Sequence, residues 1–221
     1  MADDSEEIDA VPDSEKIIVI LDKACLEVGK TKDGVYKLLD CDQTALLRKN
    51  HLNPSEYRPD ITHMCLLTLL DSPLNKTGHL KVYVRTSKNV LIEFNPKIRL
   101  PRTFKRFSGL IVELLHKHKI RAVETKEVLL KVIRNPVEQY LPPGCRIIGL
   151  SATASKKTEI NEYISTIPKD TPVAFIVGAF AHGQIDLSQC TEELCISDHH
   201  LSAAVVCGKI CCAAEQKLEI F

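Results

Sequence analysis

Apolar residues recur along the chain in short runs and in longer helical periods, and the two patterns alternate. The short runs, most of them rich in β-branched residues, predict strands. The turn-like sequence Ser-Lys-Asn between two of them predicts a paired hairpin. The predicted strands are Lys16–Leu21, Leu80–Arg85, Val90–Phe94, Leu129–Ile133, Arg146–Leu150, the run that starts at Val173, and Leu194–Ser197.

Apolar residues three and four positions apart predict helices between these strands. Asp60 or Thr62 is expected to cap the first helix, because their side-chain oxygens can accept hydrogen bonds from free backbone amides. Residues 26–58 are mixed and polar, with a loop expected at 51–59. The predicted helices are His63–Leu70, which ends before Pro73, Pro101–Lys119, which Pro101 opens, and Ser202–Leu218. Strands that alternate with helices predict an α/β fold.

The stretch Val173–Gly183, which reads VAFIVGAFAHG, carries the clearest functional signal. An apolar run without polar alternation is typical of a strand that is buried on both faces of a parallel sheet. Ligands of open α/β sheets bind beyond the carboxyl ends of the strands, and glycines there let a ligand approach the backbone closely. Gly178 and Gly183 fit neither a P-loop nor the G-x-G-x-x-G pattern. The sequence therefore predicts a small-molecule site near residue 180 that binds neither ATP nor NAD.

Charge is unevenly distributed, although the 221-residue chain has a net charge of zero. Residues 1–15 carry seven acidic and no basic side chains, so the remainder holds 29 basic against 22 acidic residues. We expect a disordered acidic tail over residues 1–15 and one folded domain over residues 16–221. A positive body suits a polyanionic partner, but the charge balance alone does not decide between such a partner and a merely solubilising tail.

The sequence lacks the signatures of several other protein classes. No apolar stretch reaches the length of a membrane span and the N-terminus does not resemble a signal peptide, so we expect an intracellular protein. The nine cysteines suit a reducing compartment. Cys190, Cys195, His199 and His200 lack zinc-site spacing, so no metal site is expected. No nucleophile elbow or His-Glu-x-x-His motif supports a hydrolase.

Residues 97–106, called the arginine segment below, place five positive charges in ten residues with no acid. Arg102 and Arg106 are four residues apart, which on a helix would put them on one face. Phe104, Phe107, Ile111, Leu114 and Leu115 would then form the opposite, buried face. Arginine matches phosphate oxygens with its planar fork and stacks on bases, so the segment favours RNA or another polyanion over a solvated charged surface.

The tripeptide Arg58-Pro59-Asp60 is a second candidate, because Pro59 holds a cation and a carboxylate at a short separation. The carboxylate of Asp60 can orient the guanidinium or accept a proton from a substrate. A helix cap beside a surface arginine is the alternative that the local sequence favours.

Five motifs, taken in order, resemble one known family, the pseudouridine-N1-specific methyltransferases of small-subunit ribosomal RNA, which are nucleolar proteins of ribosome biogenesis. The resemblance runs from about Lys16 to the end of the chain. The motifs are Arg58–His63, Asp71–Asn75, Arg99–Phe107, Val177–Gly183 and Leu201–Ala204. Because the five occur together, the resemblance is specific.

The resemblance implies a SPOUT-type α/β fold with a C-terminal trefoil knot, a homodimer, and S-adenosylmethionine as the methyl donor. It also implies nuclear, nucleolar localisation and contact with other small-subunit assembly factors or a ribosomal protein. The cofactor residues that it implies are Leu150, Gly178, Gly183, Ile196, Ser197, Asp198, His199, His200 and Leu201. Asp198-His199-His200 departs from the family, which carries Asn followed by an aromatic residue or proline, so side-chain contacts there are open.

For the substrate, the resemblance implies RNA contact by Arg58, Arg99, Arg102 and Arg106, and a catalytic pair of Arg58 and Asp60. We favour Asp60 as a brace for Arg58 over Asp60 as a base, because a carboxylate paired with arginine is poorly basic. Two functions remain open: an enzyme that methylates N1 of a pseudouridine, and a non-catalytic RNA-binding assembly factor of the small subunit.

Overall fold

The computed structural model describes residues 11–31, 33–168 and 170–221. The strands are β1 (Ile17–Ala24), β2 (Val28–Lys30), β3 (Tyr36–Leu38), β4 (Leu80–Thr86), β5 (Leu91–Phe94), β6 (Lys119–Arg121), β7 (Val128–Ile133), β8 (Arg146–Leu150), β9 (Val173–Gly178) and β10 (Glu192–Leu194). The α-helices are α1 (Thr44–Lys49), α2 (Pro59–Leu70), α3 (Pro73–Lys76), α4 (Phe104–Lys117), α5 (Ile160–Thr166) and α6 (Ala203–Leu218). None of these helices is long and apolar enough to cross a membrane.

Eight strands form one mixed sheet in the order β10-β8-β9-β1-β4-β5-β7-β6. The five strands from β10 to β4 run parallel to one another. The three strands β5, β7 and β6 extend the sheet by antiparallel pairing. The predicted α/β class is confirmed, and the carboxyl ends of β8, β9 and β10 meet at one edge.

The centre of the sheet is covered on both faces, as the continuous apolar runs predicted. In β9 the five residues from Val173 to Val177 are all buried, and β9 lies between β8 and β1. One face of the sheet packs against α2, α4 and α6 in the larger apolar cluster. The other face forms a smaller cluster around Ile18, Ile20 and Ile176.

Helix boundaries differ from the expectations at two places that matter for the site. Neither Asp60 nor Thr62 caps α2, because Pro59 occupies its first turn and Arg58 is the N-cap without a side-chain cap bond. Pro101 does not open α4, which begins at Phe104 with Thr103 as its N-cap and ends at Lys117. The left-handed His118, with φ 60°, ends that helix before Lys119, which belongs to β6 instead.

Other differences lie away from the centre of the sheet. The last strand is β10, Glu192–Leu194, and not Leu194–Ser197, because Cys195 leaves the sheet for an isolated bridge to Lys157. The mixed, polar region 26–58 contains the β2–β3 hairpin and α1. These elements enclose a small apolar cluster of their own, formed by Cys25, Leu39, Leu47 and Tyr57. The sequence missed them because each element is at most six residues long.

The last three residues of the predicted disordered tail are part of the folded structure. Asp13–Glu15 form one 3-10 turn. Asp13 accepts hydrogen bonds from Lys16 at 2.8 Å and from Lys81, at the start of β4, at 3.1 Å. The two ammonium groups hold the pKa of Asp13 below its usual range and tie the turn to the sheet. Residues 1–10 of the predicted tail lie outside the described residues.

Candidate ligand pocket and arginine segment

A pocket of about 600 Å³ lies at the carboxyl ends of β8, β9 and β10. Its walls are the loops that follow these three strands, together with the first turns of α2 and α6. This is the edge at which open α/β sheets bind ligands. The site predicted near residue 180 therefore coincides with a real cavity.

Glycines set the shape of this pocket. A Cβ atom on Gly178 would come within 2.7 Å of the Phe180 ring and 3.1 Å of Ile185, both of which line the cavity. Gly183 adopts a φ of +124°, a conformation that other residues rarely accept. Only glycine at these two positions keeps the loop folded back on itself with Phe180 in the wall.

Eight of the nine predicted cofactor residues line the pocket, and Asp198 is the exception. The eight are Leu150, Gly178, Gly183, Ile196, Ser197, His199, His200 and Leu201. The Asp198 carboxylate accepts a hydrogen bond from Lys157 at 2.8 Å, and its side chain is 79% exposed. This ammonium group lowers the pKa of Asp198. The aspartate therefore joins two loops outside the cavity.

A buried thiol helps to fix the loop that follows β10. Cys195 is 2% exposed and its Sγ donates to the carbonyl of Ser197 at 3.1 Å and of Ala152 at 3.6 Å. Ser197 Oγ accepts from the amide of His199 at 3.0 Å. Because these bonds use main-chain groups, the backbone of the loop is fixed whatever side chains stand at 199 and 200.

Arg58 enters the same pocket from the N-terminus of α2. Its Nε donates to Asp60 Oδ1 at 2.8 Å and its Nη2 donates to Oδ2 at 2.7 Å, a two-pronged pairing. The carboxylate raises the pKa of Arg58, and the guanidinium holds the pKa of Asp60 below its usual range. The pair is therefore ionised at neutral pH, with the guanidinium plane fixed by the aspartate.

The arginine segment lies beside α2, outside the pocket. Ile98 and Leu100 are buried while Arg99 between them is exposed. Arg102 precedes α4, so the prediction that Arg102 and Arg106 share a helical face is wrong; Arg102 instead donates to Asp71 at 2.9 Å. The predicted buried face of α4 is confirmed: Phe107, Ile111 and Leu114 are buried, and Phe104 and Leu115 pack against the same core.

Several pocket residues carry no signal that sequence reasoning detected. Ser151 and Thr153 follow β8 directly, and their hydroxyl groups are 3.0 Å apart. Their position after a parallel strand was the only available clue. Ile185 lies outside the stretch Val173–Gly183 and looks like an ordinary core residue in the sequence, and only the folded loop brings it to the cavity.

The chain was compared with known proteins. A family model described as EMG1/NEP1 methyltransferase matches residues 19–215. "Ribosomal RNA small subunit methyltransferase mra1" of Schizosaccharomyces pombe is 52% identical over 213 residues, with 94% of this chain and 59% of the relative covered. "Ribosomal RNA small subunit methyltransferase NEP1" of Homo sapiens is 47% identical over 205 residues, with 91% of this chain and 81% of the relative covered.

A crystal structure of Archaeoglobus fulgidus Nep1 bound to S-adenosylhomocysteine matches the fold with a TM-score of 0.75. The alignment covers 92% of this chain and 99% of the archaeal chain at 24% sequence identity. At that identity the likeness establishes the shared architecture. The chain spans less than two thirds of the fission-yeast relative but most of the human one.

Proposed function

Because the chain belongs to the EMG1/NEP1 methyltransferase family, we propose that it transfers a methyl group from S-adenosylmethionine to N1 of a pseudouridine in small-subunit ribosomal RNA. One observation carries this proposal: Arg58, held by Asp60, lines the same cavity as the glycine loop after β9. A donor site and a group suited to the substrate therefore face each other.

The residues of the pocket fit a sulfonium donor. The cavity has glycine-bounded main chain, apolar walls and the hydroxyls of Ser151, Thr153 and Ser197, and its lining contains no lysine for a phosphate group. Leu150, Gly178, Gly183 and the segment 196–201 would hold the donor, mainly through the backbone. The side chain of Asp198 would not contact the donor, because it pairs with Lys157 outside the cavity. The departure from the family at residues 198–200 is therefore tolerable.

The donor supplies an electrophilic methyl group: the N1–carbon bond forms as the carbon–sulfur bond breaks, and S-adenosylhomocysteine leaves. Aligning the reacting atoms is the main requirement of such a displacement. Negative charge develops on the base as N1 loses its proton to solvent water, and the fixed guanidinium of Arg58 stabilises it. Asp60 serves as the brace, because both of its oxygens are bonded to Arg58 and its pKa is lowered.

RNA contact is assigned to Arg58, Arg99, Arg102 and Arg106. Arg99 and Arg106 are exposed and form no side-chain ion pair with any residue that the structure describes. Such unpaired guanidinium groups are available to phosphates. Because a base in a duplex cannot reach an enclosed donor, the target would have to be splayed out of a loop.

Mass spectrometry of a short RNA hairpin tests the activity. The protein is incubated with S-adenosylmethionine and a hairpin that carries pseudouridine or, as a matched substrate, uridine. We expect a mass gain of one methyl group on the pseudouridine hairpin alone. Methylation of the uridine hairpin would contradict the assignment of N1, and no methylation of either would contradict the activity.

The alternative function is a non-catalytic RNA-binding assembly factor of the small subunit. It is favoured by the position of Arg99, Arg102 and Arg106, none of which lines the pocket, so RNA can be held without methyl transfer. Calorimetry with S-adenosylmethionine separates the two functions. Micromolar binding supports the enzyme, whereas no binding leaves the assembly factor.

The knot, the homodimer and the nucleolar location are proposals that follow from family membership. The homodimer is also supported by two exposed apolar side chains on the neighbouring helices α2 and α6. Met64 on α2 is 44% exposed, and Val205 on α6 is 48% exposed. Light scattering of the purified protein would give a mass of two chains. Labelled protein would concentrate in nucleoli, with other assembly factors or a ribosomal protein as its neighbours.

A further inference from the structure

The arginine segment has little regular structure of its own. Between the end of β5 at Phe94 and the start of α4 at Phe104 there is neither a strand nor a helix. Pro96 and Pro101 have no amide hydrogen to donate, so this backbone has few internal hydrogen bonds. Its shape must depend on contacts with its neighbours.

His63 makes one of these contacts. It lies in the second turn of α2 and is 4% exposed. Its Nε2 is 2.8 Å from the carbonyl oxygen of Pro101, which can only accept, so Nε2 carries the hydrogen. The ring also stacks on Phe107 of α4, with centroids 4.4 Å apart and planes 18° from parallel. His63 therefore joins α2, the middle of the arginine segment and α4.

Asn75 makes the second contact, immediately before the arginine segment begins. It lies in α3 and is 3% exposed, and its Nδ2 donates to the carbonyls of Leu70 and Pro96, both at 2.9 Å. Its Oδ1 is buried and has no hydrogen-bond partner in the described part of the chain. An orphaned acceptor costs stability, and the two donated bonds offset that cost.

We infer that His63 and Asn75 are positioning residues for RNA binding, which fix the main chain on either side of Arg99. This inference rests on the proposed function. Both side chains are buried and neither can touch RNA, so they act through the carbonyls of Pro96 and Pro101. With Ile98 and Leu100 in the core, these two bonds hold the exposed Arg99 outward.

Two variants remove the contacts with little change of shape. His63→Phe keeps the stacked ring and removes the donor, and Asn75→Asp keeps the outline and replaces both amide hydrogens by an acceptor. Thr62→Val is the matched control, because Thr62 is fully buried beside His63 and its hydroxyl has no hydrogen-bond partner among the described residues. We expect each positioning variant to weaken hairpin affinity about fivefold or more, while S-adenosylmethionine affinity stays within about twofold of wild type.

A double-mutant cycle separates positioning from a general loss of stability. In an Arg99→Ala, Arg102→Ala background, His63→Phe should weaken hairpin binding by less than about twofold, because the groups that it positions are gone. His63→Gln, whose amide can reach Pro101, should restore part of the affinity. Equal losses in both backgrounds, or an equal loss in Thr62→Val, would overturn the inference.

The same measurements keep this inference apart from the proposed function. If wild-type protein does not bind the hairpin, the RNA part of the proposed function fails. If wild-type protein binds and the losses are simply additive, only the positioning role fails. Should His63→Phe not fold, the Asn75→Asp cycle decides the outcome alone.

Discussion

The pocket and the arginine rim are built in opposite ways. The pocket is formed by main chain at the ends of parallel strands, where the absence of a side chain on Gly178 matters most. The rim consists of Arg58 and the arginines of residues 97–106, long side chains held by Asp60, by Asp71 and by buried contacts to irregular backbone. The pocket therefore depends on the absence of bulky side chains. The rim depends on the charges and hydrogen bonds of the side chains that are present.

This difference predicts different responses to mutation. A substitution in the pocket loops should weaken donor binding when it adds volume. Donor binding should tolerate a substitution that changes polarity and leaves the backbone in place. A substitution in the rim changes RNA binding when it removes a charge or a hydrogen bond. Donor affinity and RNA affinity, measured on the same variants, therefore test the division.

The largest effect is expected for Gly178→Val. The added side chain would clash with Phe180 and Ile185, which line the cavity, so we expect donor affinity to fall by about 100-fold or more while the protein remains folded. Calorimetry gives the affinity and circular dichroism the fold. Gly109→Val is the control, because nothing lies within 4 Å of a Cβ at Gly109. Retained donor affinity in Gly178→Val would remove the glycine loop from the site.

Arg58→Ala should lower the methylation rate by about 100-fold, as loss of one fixed transition-state donor commonly does, with little change in donor affinity. Asp60→Asn should lower the rate less, because Arg58 stays charged and keeps part of its orientation. Single-turnover rates on the pseudouridine hairpin make the comparison. If Asp60→Asn lowers the rate as much as Arg58→Ala, Asp60 does not merely position Arg58, and it must act as a base.

Changing Arg102 and Arg106 together to alanine should weaken RNA binding and flatten its salt dependence by about 1.5 in the logarithmic slope, since each phosphate contact contributes about 0.7–0.9. Donor affinity should not change. Titrations at several salt concentrations measure the slope. A slope equal to that of the wild type would show that neither arginine meets a phosphate, and that Arg102 serves only its pair with Asp71.

The smallest expected effect is a loss of folding stability at low pH. Because Arg58 holds the pKa of Asp60 below its usual range, the pair stabilises the fold above the unfolded carboxyl value of about 3.9, and this contribution is lost as the pH falls through the lower folded value. Both side chains are more than a third exposed, so the loss should be below about 1 kcal/mol. Urea unfolding from pH 6 down to about pH 2 should show a weaker acid dependence for Asp60→Asn, with the difference concentrated below the unfolded carboxyl value.

The sequence predicted the pocket better than the rim, for physical reasons. A buried parallel strand leaves an unbroken apolar run, as in Val173–Val177, and the edge at which ligands bind follows from the fold class. The path of the arginine segment depends on contacts with residues 63 and 75, which are distant in sequence. Helical spacing placed Arg102 on α4, whereas the helix begins two residues later.

Asp198 shows another limit of sequence reasoning. It was grouped with its neighbours as a pocket residue, but the folded loop turns its carboxylate outward to Lys157, 41 positions earlier. No local pattern reports such a partner. The β2–β3 hairpin was missed for a similar reason, because its short strands are held by the small cluster around Leu39 and Tyr57.

Helix α2 sets a fixed spacing between two cations of the rim. Arg58 stands at its N-cap, and Asp71, which holds Arg102, stands at its C-cap. At 1.5 Å per residue these caps are about 20 Å apart. One isolated nucleotide cannot contact both arginines. An RNA that extends several nucleotides from the reactive base can contact both, so it should bind more tightly.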